Sequence, residues 1–244
     1  MRFQRAVDVR CSRRKYLATP IDYGFVNKLR QLAEEYGEKA GVKILLEIKN
    51  GEAFKGFKKS YGLFSGVNNY IGLIENKNDK NSKEKLGYYG ELLVLHATDL
   101  RLGTCWVGGT FDRSLCPFEL ASNESIACVI TVGNVPNDKT LKEKLIHSAT
   151  HRHSKSLDEM FVSDSTVPKW FSRGLSVVQK APSAMNRQPV MFSFKNGAVS
   201  AFVKDPSEES LDLGIAKLHF ELGAGAGVWD WGNGAEFHYP VNRR

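Results

Sequence analysis

The chain has 244 residues, 42% hydrophobic and 25% charged, a globular composition long enough to bury a sizeable core. No apolar run approaches the roughly 18 residues a membrane helix needs, and no apolar signal region follows the basic N-terminus. Cys11, Cys105, Cys116 and Cys128 form no CxxC pair, which reads as reduced thiols in a cytoplasmic protein, while the net charge of +7 admits an anionic partner, either nucleic acid or a phosphorylated cofactor.

Val9 to Tyr16 reads VRCSRRKY. Arg10, Ser12 and Arg14 alternate there, and two guanidiniums with a hydroxyl make a phosphate clamp, because guanidinium forks match phosphate geometry. Read alone, the same segment is a solvated basic N-terminus. Asp22 to Tyr36 predicts an amphipathic helix, with Phe25, Val26, Leu29, Leu32, Ala33 and Tyr36 in one stripe and Gly37 as its stop. Val42 to Ile48 predicts a strand, Asn50-Gly51 a turn and Tyr70 to Ile74 a second strand. Asn76 to Lys85 reads as a charged, exposed loop. Tyr88 to Leu102 is apolar on most sides, as a central helix would be, and ends at Gly103. TCWVGGTF follows, and Gly108-Gly109 lets backbone approach something closely. Ile126 to Val132 predicts a strand.

Asn137 to Lys155 reads as a long basic connection. Thr166 to Gln179 predicts a helix capped by Thr166, with Pro168 in its first turn. The next stretch, Ala181 to Pro189, is APSAMNRQP. Proline near both ends stiffens it, and Ser183, Asn186, Arg187 and Gln188 supply donors and acceptors, with Ala184 and Met185 between them. Such a loop suits a planar heteroaromatic ligand with polar edges, although surface loops are commonly polar without one. Val190 to Phe194 and Val199 to Val203 predict a hairpin about Asn196-Gly197. Leu211 to Leu222 predicts a second apolar helix ending at Gly223.

The two halves echo each other. Laying Phe25 on Phe171 also lays Leu29 on Leu175, Leu32 on Val178, and Lys49-Asn50-Gly51 on Lys195-Asn196-Gly197, without a gap. A second register lays Leu102-Gly103 on Leu222-Gly223. Tandem duplication, the single-chain equivalent of a two-fold dimer, accounts for this order. The halves run 1–161 and 162–244. The clamp sits in the first and the polar loop in the second, so one composite site is expected.

Three motifs together resemble the FMN-dependent nitroreductases, and the fused arrangement resembles a pseudo-dimer subgroup of that family. RCSRRKY looks like the family's N-terminal phosphate-binding motif, placing Arg10, Cys11, Ser12 and Arg14 at the phosphate. APSAMNRQP looks like its flavin loop, with Pro182, Ser183, Ala184 and Asn186 at the ring. Val190 stands where the family usually has tryptophan. LRLGTCWVGGTF looks like the stretch facing flavin N5, which implies roles for Trp106, Val107 and the amides of Gly108 and Gly109. Many members carry glutamate at the Gly108 position. Arg152 best matches a late basic residue at the phosphate, and Lys58 and Lys59 are placed toward the pyrimidine edge. The implied fold is α+β, a central antiparallel or mixed sheet flanked by helices in two tandem repeats.

The implied activity is a cytoplasmic FMN oxidoreductase. NAD(P)H would reduce it, and nitroaromatics, quinones or similar small molecules would accept electrons in ping-pong order. No catalytic side chain and no metal are required, because the flavin carries the chemistry. The chain itself is expected to be a monomeric pseudo-dimer, without nucleic-acid or membrane partners. The alternative is an FMN-binding protein with little turnover, for storage or sensing. A basic nucleic-acid module is the third reading, and it rests on net charge alone.

Overall fold

The structure, a computed structural model, describes residues 3–55, 62–150 and 154–240. In chain order the elements are α1 (Gln4–Val9), α2 (Tyr23–Ala40), β1 (Lys43–Glu47), β2 (Tyr70–Asn76), α3 (Ser82–Asp99), β3 (Gly103–Val107), β4 (Glu124–Gly133), α4 (Leu141–Thr150), β5 (Phe161–Ser163), α5 (Lys169–Val178), β6 (Met191–Lys195), β7 (Ala198–Phe202), α6 (Pro206–Ala224), β8 (Val228–Trp229) and β9 (Glu236–His238). The α+β class stands, but the strands divide into two sheets instead of one central sheet.

The first sheet has the order β1-β2-β4-β3, antiparallel throughout. The second has the order β5-β6-β7-β9-β8, antiparallel except for the parallel pairing of β5 with β6. Helix, two strands, helix, two strands therefore occurs twice, with the same neighbour order in each sheet. The hairpin β6-β7 turns at Asn196 (φ 52°) and Gly197 (φ 78°). Two successive left-handed residues are the signature of a tight turn that matches strand twist.

Helices α3 and α6 cross between the sheets. A Cβ at Gly87 would meet the Leu211 carbonyl at 2.1 Å, and one at Gly214 would meet the Glu84 carbonyl at 1.9 Å. Each glycine thus contacts the residue three positions before the other, a reciprocal crossing that any larger residue would force apart. Buried ionic contacts accompany it. The Lys217 ammonium meets Glu84 at 2.5 Å and the carbonyls of Asp230 and Gly232 at 3.0 Å, with neither side chain above 3% exposed. One apolar core lies between the first sheet and α2–α3, built on Leu29, Leu73, Leu93 and Ile130. Another, rich in aromatics, packs α5 and α6 on the second sheet through Phe171, Phe192, Phe220 and Phe237.

Several boundaries differ from the sequence reading. Helix α2 does not stop at Gly37 but at Gly41 (φ 67°). Gly37 is inside the helix, where a Cβ would meet the Val42 carbonyl at 2.8 Å, so its glycine serves close packing. Gly223 likewise lies inside α6, 2.8 Å from the Gly174 Cα by the same measure, while Gly103 opens β3. The second repeat register, which matched those two glycines as helix ends, is overturned. The charged stretch to Lys85 is not all exposed loop: Ser82 begins α3, and Ser82 and Glu84 are buried. Helix α5 begins at Lys169 after Pro168, and Thr166 does not cap it. The long connection contains α4.

Candidate functional site

Residues 10 to 16 run extended beside β3. Ser12 bridges to Thr104, and the Arg13 amide donates to the Thr104 carbonyl at 2.8 Å. Side chains alternate along an extended run. Arg13 turns inward to 7% exposure. Arg10, Cys11, Ser12 and Arg14 line a cavity of about 370 Å³. Its far wall is the polar loop, through Pro182, Ser183, Met185 and Asn186, and α4 contributes Glu143, Ile146, His147 and Thr150. The structure therefore brings the clamp and the loop together, although they are more than 160 positions apart in sequence.

A buried carboxylate holds the clamp. Glu143 lies in the first turn of α4 and accepts from the Arg14 amide (2.7 Å), the Lys15 amide (3.3 Å), Arg13 Nε (3.2 Å), the Thr140 amide (2.8 Å) and Thr140 Oγ1 (3.0 Å). Burial pushes the Glu143 carboxyl up, but the Arg14 and Thr140 amides, with Arg13 and Lys15 behind them, outweigh it and hold it at about 2. Arg13 Nη2 also donates to the Pro136 carbonyl at 2.9 Å and the Asp138 carbonyl at 3.1 Å. Arg13 is thus a structural anchor that leaves its two neighbours for the cavity.

Arg10 is positioned differently. Its Nε is ion-paired with Glu91 at 3.8 Å, too far for a hydrogen bond, and is buried without a hydrogen-bond partner among the described residues. Glu91 is fully buried and also accepts from Trp106 Nε1 at 2.8 Å and meets His219 Nε2 at 3.1 Å. The Arg14 guanidinium stands 5.2 Å over the Phe64 ring. Lys139 adds a further cation to the cavity, and Lys180 is paired with Asp8 at 2.6 Å. Carboxylates thus pair Arg10, Arg13 and Lys180, whereas Arg14 and Lys139 have none at ion-pair distance among the described residues.

The loop is braced internally. Ser183 Oγ accepts from the Gln188 amide at 3.0 Å, so its hydroxyl proton stays available. Asn186 Nδ2 donates to Ser154 Oγ at 3.2 Å, leaving its amide oxygen. Gln188 is buried; its side-chain oxygen accepts from the Lys155 amide (2.8 Å) and its carbonyl from Lys155 Nζ (2.7 Å). Met185 (φ 53°), Asn186 (φ 56°) and Gln188 (φ 47°) are all left-handed, an uncommon state for residues with a Cβ. The Ala184 amide donates to the buried carboxylate of Asp212, at 3.2 and 3.3 Å from its two oxygens. Burial pushes Asp212 up to about 6, against the pull of that amide and of Arg187.

Other expected residues stand apart from the cavity. Trp106 is half-buried and tied to Glu91, and Val107 is buried in the first sheet. Gly108 and Gly109 are exposed beyond the end of β3, with open space where a Cβ would be, and the Gly108 carbonyl accepts from Arg113 Nη2 at 2.6 Å. Ala184 is exposed and does not line the cavity; its amide is turned to Asp212. Val190 packs in the second core, 4% exposed. Arg152, Lys58 and Lys59 lie outside the described residues.

Sequence reasoning passed over Glu143, Lys139, Glu91, Asp212 and Lys155. A signal existed for Glu143: Thr140-x-x-Glu143 is a capping box, and the Glu143 amide accordingly donates to Thr140 Oγ1 at 3.2 Å. Nothing local distinguishes the other four.

The sequence matches the family described as "Putative TM nitroreductase" over residues 3–224. No curated protein matches it. Among solved structures, a "putative nitroreductase" of Thermotoga maritima MSB8 is 17% identical, with a TM-score of 0.62 over 99% of this chain and 94% of that one. An FMN-dependent nitroreductase of Clostridium difficile R20291 is 17% identical, with a TM-score of 0.46 over 55% of this chain and 88% of that one. A nitroreductase family protein of Clostridium difficile 630 is 18% identical, with a TM-score of 0.48 over 68% and 100%. The match of a single family over nearly the whole chain is decisive: this protein belongs to that nitroreductase family.

Proposed function

We propose that the chain is an FMN-dependent NAD(P)H oxidoreductase of the nitroreductase type, with one composite site between its halves. The observation that carries the reading is the cavity of about 370 Å³ that unites Arg10, Ser12 and Arg14 with Pro182, Ser183 and Asn186. Its size is within the range of small-molecule sites. The donor set fits the cofactor. Arg10, Ser12, Arg14 and Lys139 offer charge and hydrogen bonds to a phosphate, and the Arg10 Nε, 3.8 Å from Glu91, has no hydrogen-bond partner among the described residues. Ser183 and Asn186 each keep one polar function for the edge of a flavin ring.

Bound there, FMN supplies two-electron redox chemistry between NAD(P)H and a small acceptor such as a nitroaromatic or quinone. The chain's part is to bind and orient it. Arg10 and Arg14 fix the phosphate end, the stiff loop fixes the ring end, and the opening between them admits donor and acceptor alternately, which predicts ping-pong kinetics. The repeated strand order and the reciprocal Gly87–Gly214 crossing support a tandem duplication with halves at 1–161 and 162–244 acting as a monomeric pseudo-dimer. No helix among the described residues is long and apolar enough to cross a membrane.

One observation favours the second reading, an FMN-binding protein with little turnover: Gly108 and Gly109 stand outside the cavity. A single spectroscopic experiment separates the two. The purified protein reconstituted with FMN should be yellow and should bleach when NADH or NADPH is added anaerobically, recovering with acceptor. Colour without bleaching would select the second reading, and failure to retain FMN would dismiss both.

A further inference from the structure

Asp212 lies outside the cavity and touches no expected ligand. It sits on α6 behind the polar loop, 8% exposed, in a small cleft lined by Pro182, Ser183, Gln188 and Ala216. Its carboxylate has one donor among the described residues, the Ala184 amide, shared between both oxygens. A buried carboxylate with so few donors is costly to keep charged. A fold that needed only packing there would be better served by a neutral side chain. What the carboxylate does hold is the first residue of the loop's helical turn, Ala184–Asn186, immediately before three left-handed positions, Met185, Asn186 and Gln188.

Those positions are unfavourable for residues with a Cβ, so the loop keeps its shape only through outside contacts. Three such contacts are present: Lys155 fixes Gln188 at one end, Ser154 Oγ accepts from the Asn186 side chain, and Asp212 fixes Ala184 from behind, while Ser183 spans the loop internally to the Gln188 amide. Only Asp212 belongs to the central helix α6, which crosses α3 and is packed into the molecule's interior.

We propose that Asp212 is a positioning residue: its carboxylate, through the Ala184 amide, sets the loop that presents Ser183 and Asn186 to the cavity, and the strength of that hold follows its ionisation. The second part rests on the flavin reading above, because Ser183 and Asn186 matter only if a ring lies against them. The charged groups facing the carboxylate are Arg187 on the loop, which favours the ionised form, and Glu209 on α6, which opposes it. Burial raises the Cys128 thiol on β4, and the Asp212 charge adds to that. The cleft's other lining residues carry no titratable group. Burial outweighs these influences and brings the carboxyl up to about 6, so the charge is lost just below neutral pH. A neutral acid still accepts from an amide, but charge-assisted bonds are roughly twice as strong. The loop should therefore loosen on acidification without unfolding.

The experiment is amide hydrogen–deuterium exchange of the full chain without ligand, from pH 5 to pH 8, corrected for intrinsic rates, on wild type and Asp212→Asn. FMN binding is measured by fluorescence over the same range. Protection of residues 184 to 188 in the wild type should rise about fivefold with pH, with a midpoint near 6, and FMN affinity should rise in parallel. In Asp212→Asn, which keeps an acceptor but cannot ionise, both should be flat and low. A flat wild-type exchange profile overturns the proposal, and so does an Asp212→Asn profile that matches wild type. An FMN affinity indifferent to pH and to the substitution overturns the positioning role. If wild type binds no FMN at any pH, the flavin reading fails instead, and the exchange profiles alone decide the hold on the loop.

Discussion

The two walls of the cavity are each held by one buried carboxylate, and the two behave oppositely. Glu143 braces the clamp with five donor contacts and is held at about 2. Asp212 braces the loop with one amide and is pushed up to about 6. Both are at most 8% exposed, so burial alone does not separate them. The number of donors does. Where hydrogen bonds and a guanidinium replace water, the charge is cheap; where they do not, it is marginal, and the proposed pH dependence of the loop rests on that difference.

The strongest way to break this contrast is Glu143→Ala. It leaves the Arg13 guanidinium buried without its carboxylate and the Arg14 and Lys15 amides without an acceptor. Removing one partner of a buried ion pair costs about 3–5 kcal/mol. Urea denaturation should show a loss of that size, and FMN binding should fall with it. The pH dependence has a definite sign. Glu143 is depressed in the folded state, so its stabilisation is complete above the usual carboxylate value of 4.5 and is lost as pH falls toward 2.

Next in size is Arg10→Ala. A charge-assisted contact contributes about 1.5–3 kcal/mol, so FMN affinity should drop by about 10- to 100-fold in fluorescence titrations. Lys77→Ala, which removes a charge from the exposed turn before α3, should leave it unchanged. Equal effects would show that net charge, and not the clamp, attracts the cofactor.

Asp212→Asn should change stability with the opposite pH sense. The folded value is raised from 3.8 to about 6, so the folded protein binds more protons in that interval and loses stability as pH rises through it. The variant lacks this loss. It should be as stable as wild type near pH 4 and more stable above pH 6, by about 1–2 kcal/mol, in thermal melts across the range. The smallest expected effect is Met185→Gly. It removes the cost of a left-handed Cβ at φ 53° and should stabilise the apo protein by up to about 1 kcal/mol, while giving the loop more freedom and weakening FMN binding.

Much of the scaffold was legible locally. Apolar stripes and β-branched runs located α2, β2, β4 and the hairpin β6-β7, because the solvent-facing and core-facing sides of these elements differ in kind. The helix α4 was not, since Leu141 and Leu145 are exposed and its one buried residue is the charged Glu143. A helix that packs through a carboxylate has no apolar period to detect. Glu84 was obscured in the same way: its partner Lys217 is more than 130 positions away, so the charge read as solvent-facing. Glycines misled for a different reason. Gly37 and Gly223 look like helix stops, but they are sites where backbone from another element comes within reach of a Cβ.

By itself the sequence determined the elements whose cause is local: the amphipathic helices, the strands, the left-handed hairpin turn, and the residue types of the clamp and the loop. It also carried the motifs that the family match over residues 3–224 accompanies. Only the tertiary structure decided that clamp and loop face one cavity, that Trp106, Gly108 and Gly109 do not line it, and which carboxylates hold its walls. The physical reason is that these are matters of distance between residues remote in sequence. The cost of burying Glu143, Glu91, Glu84 or Asp212 is set by donors on other elements, and those donors exist as neighbours only once the chain has folded.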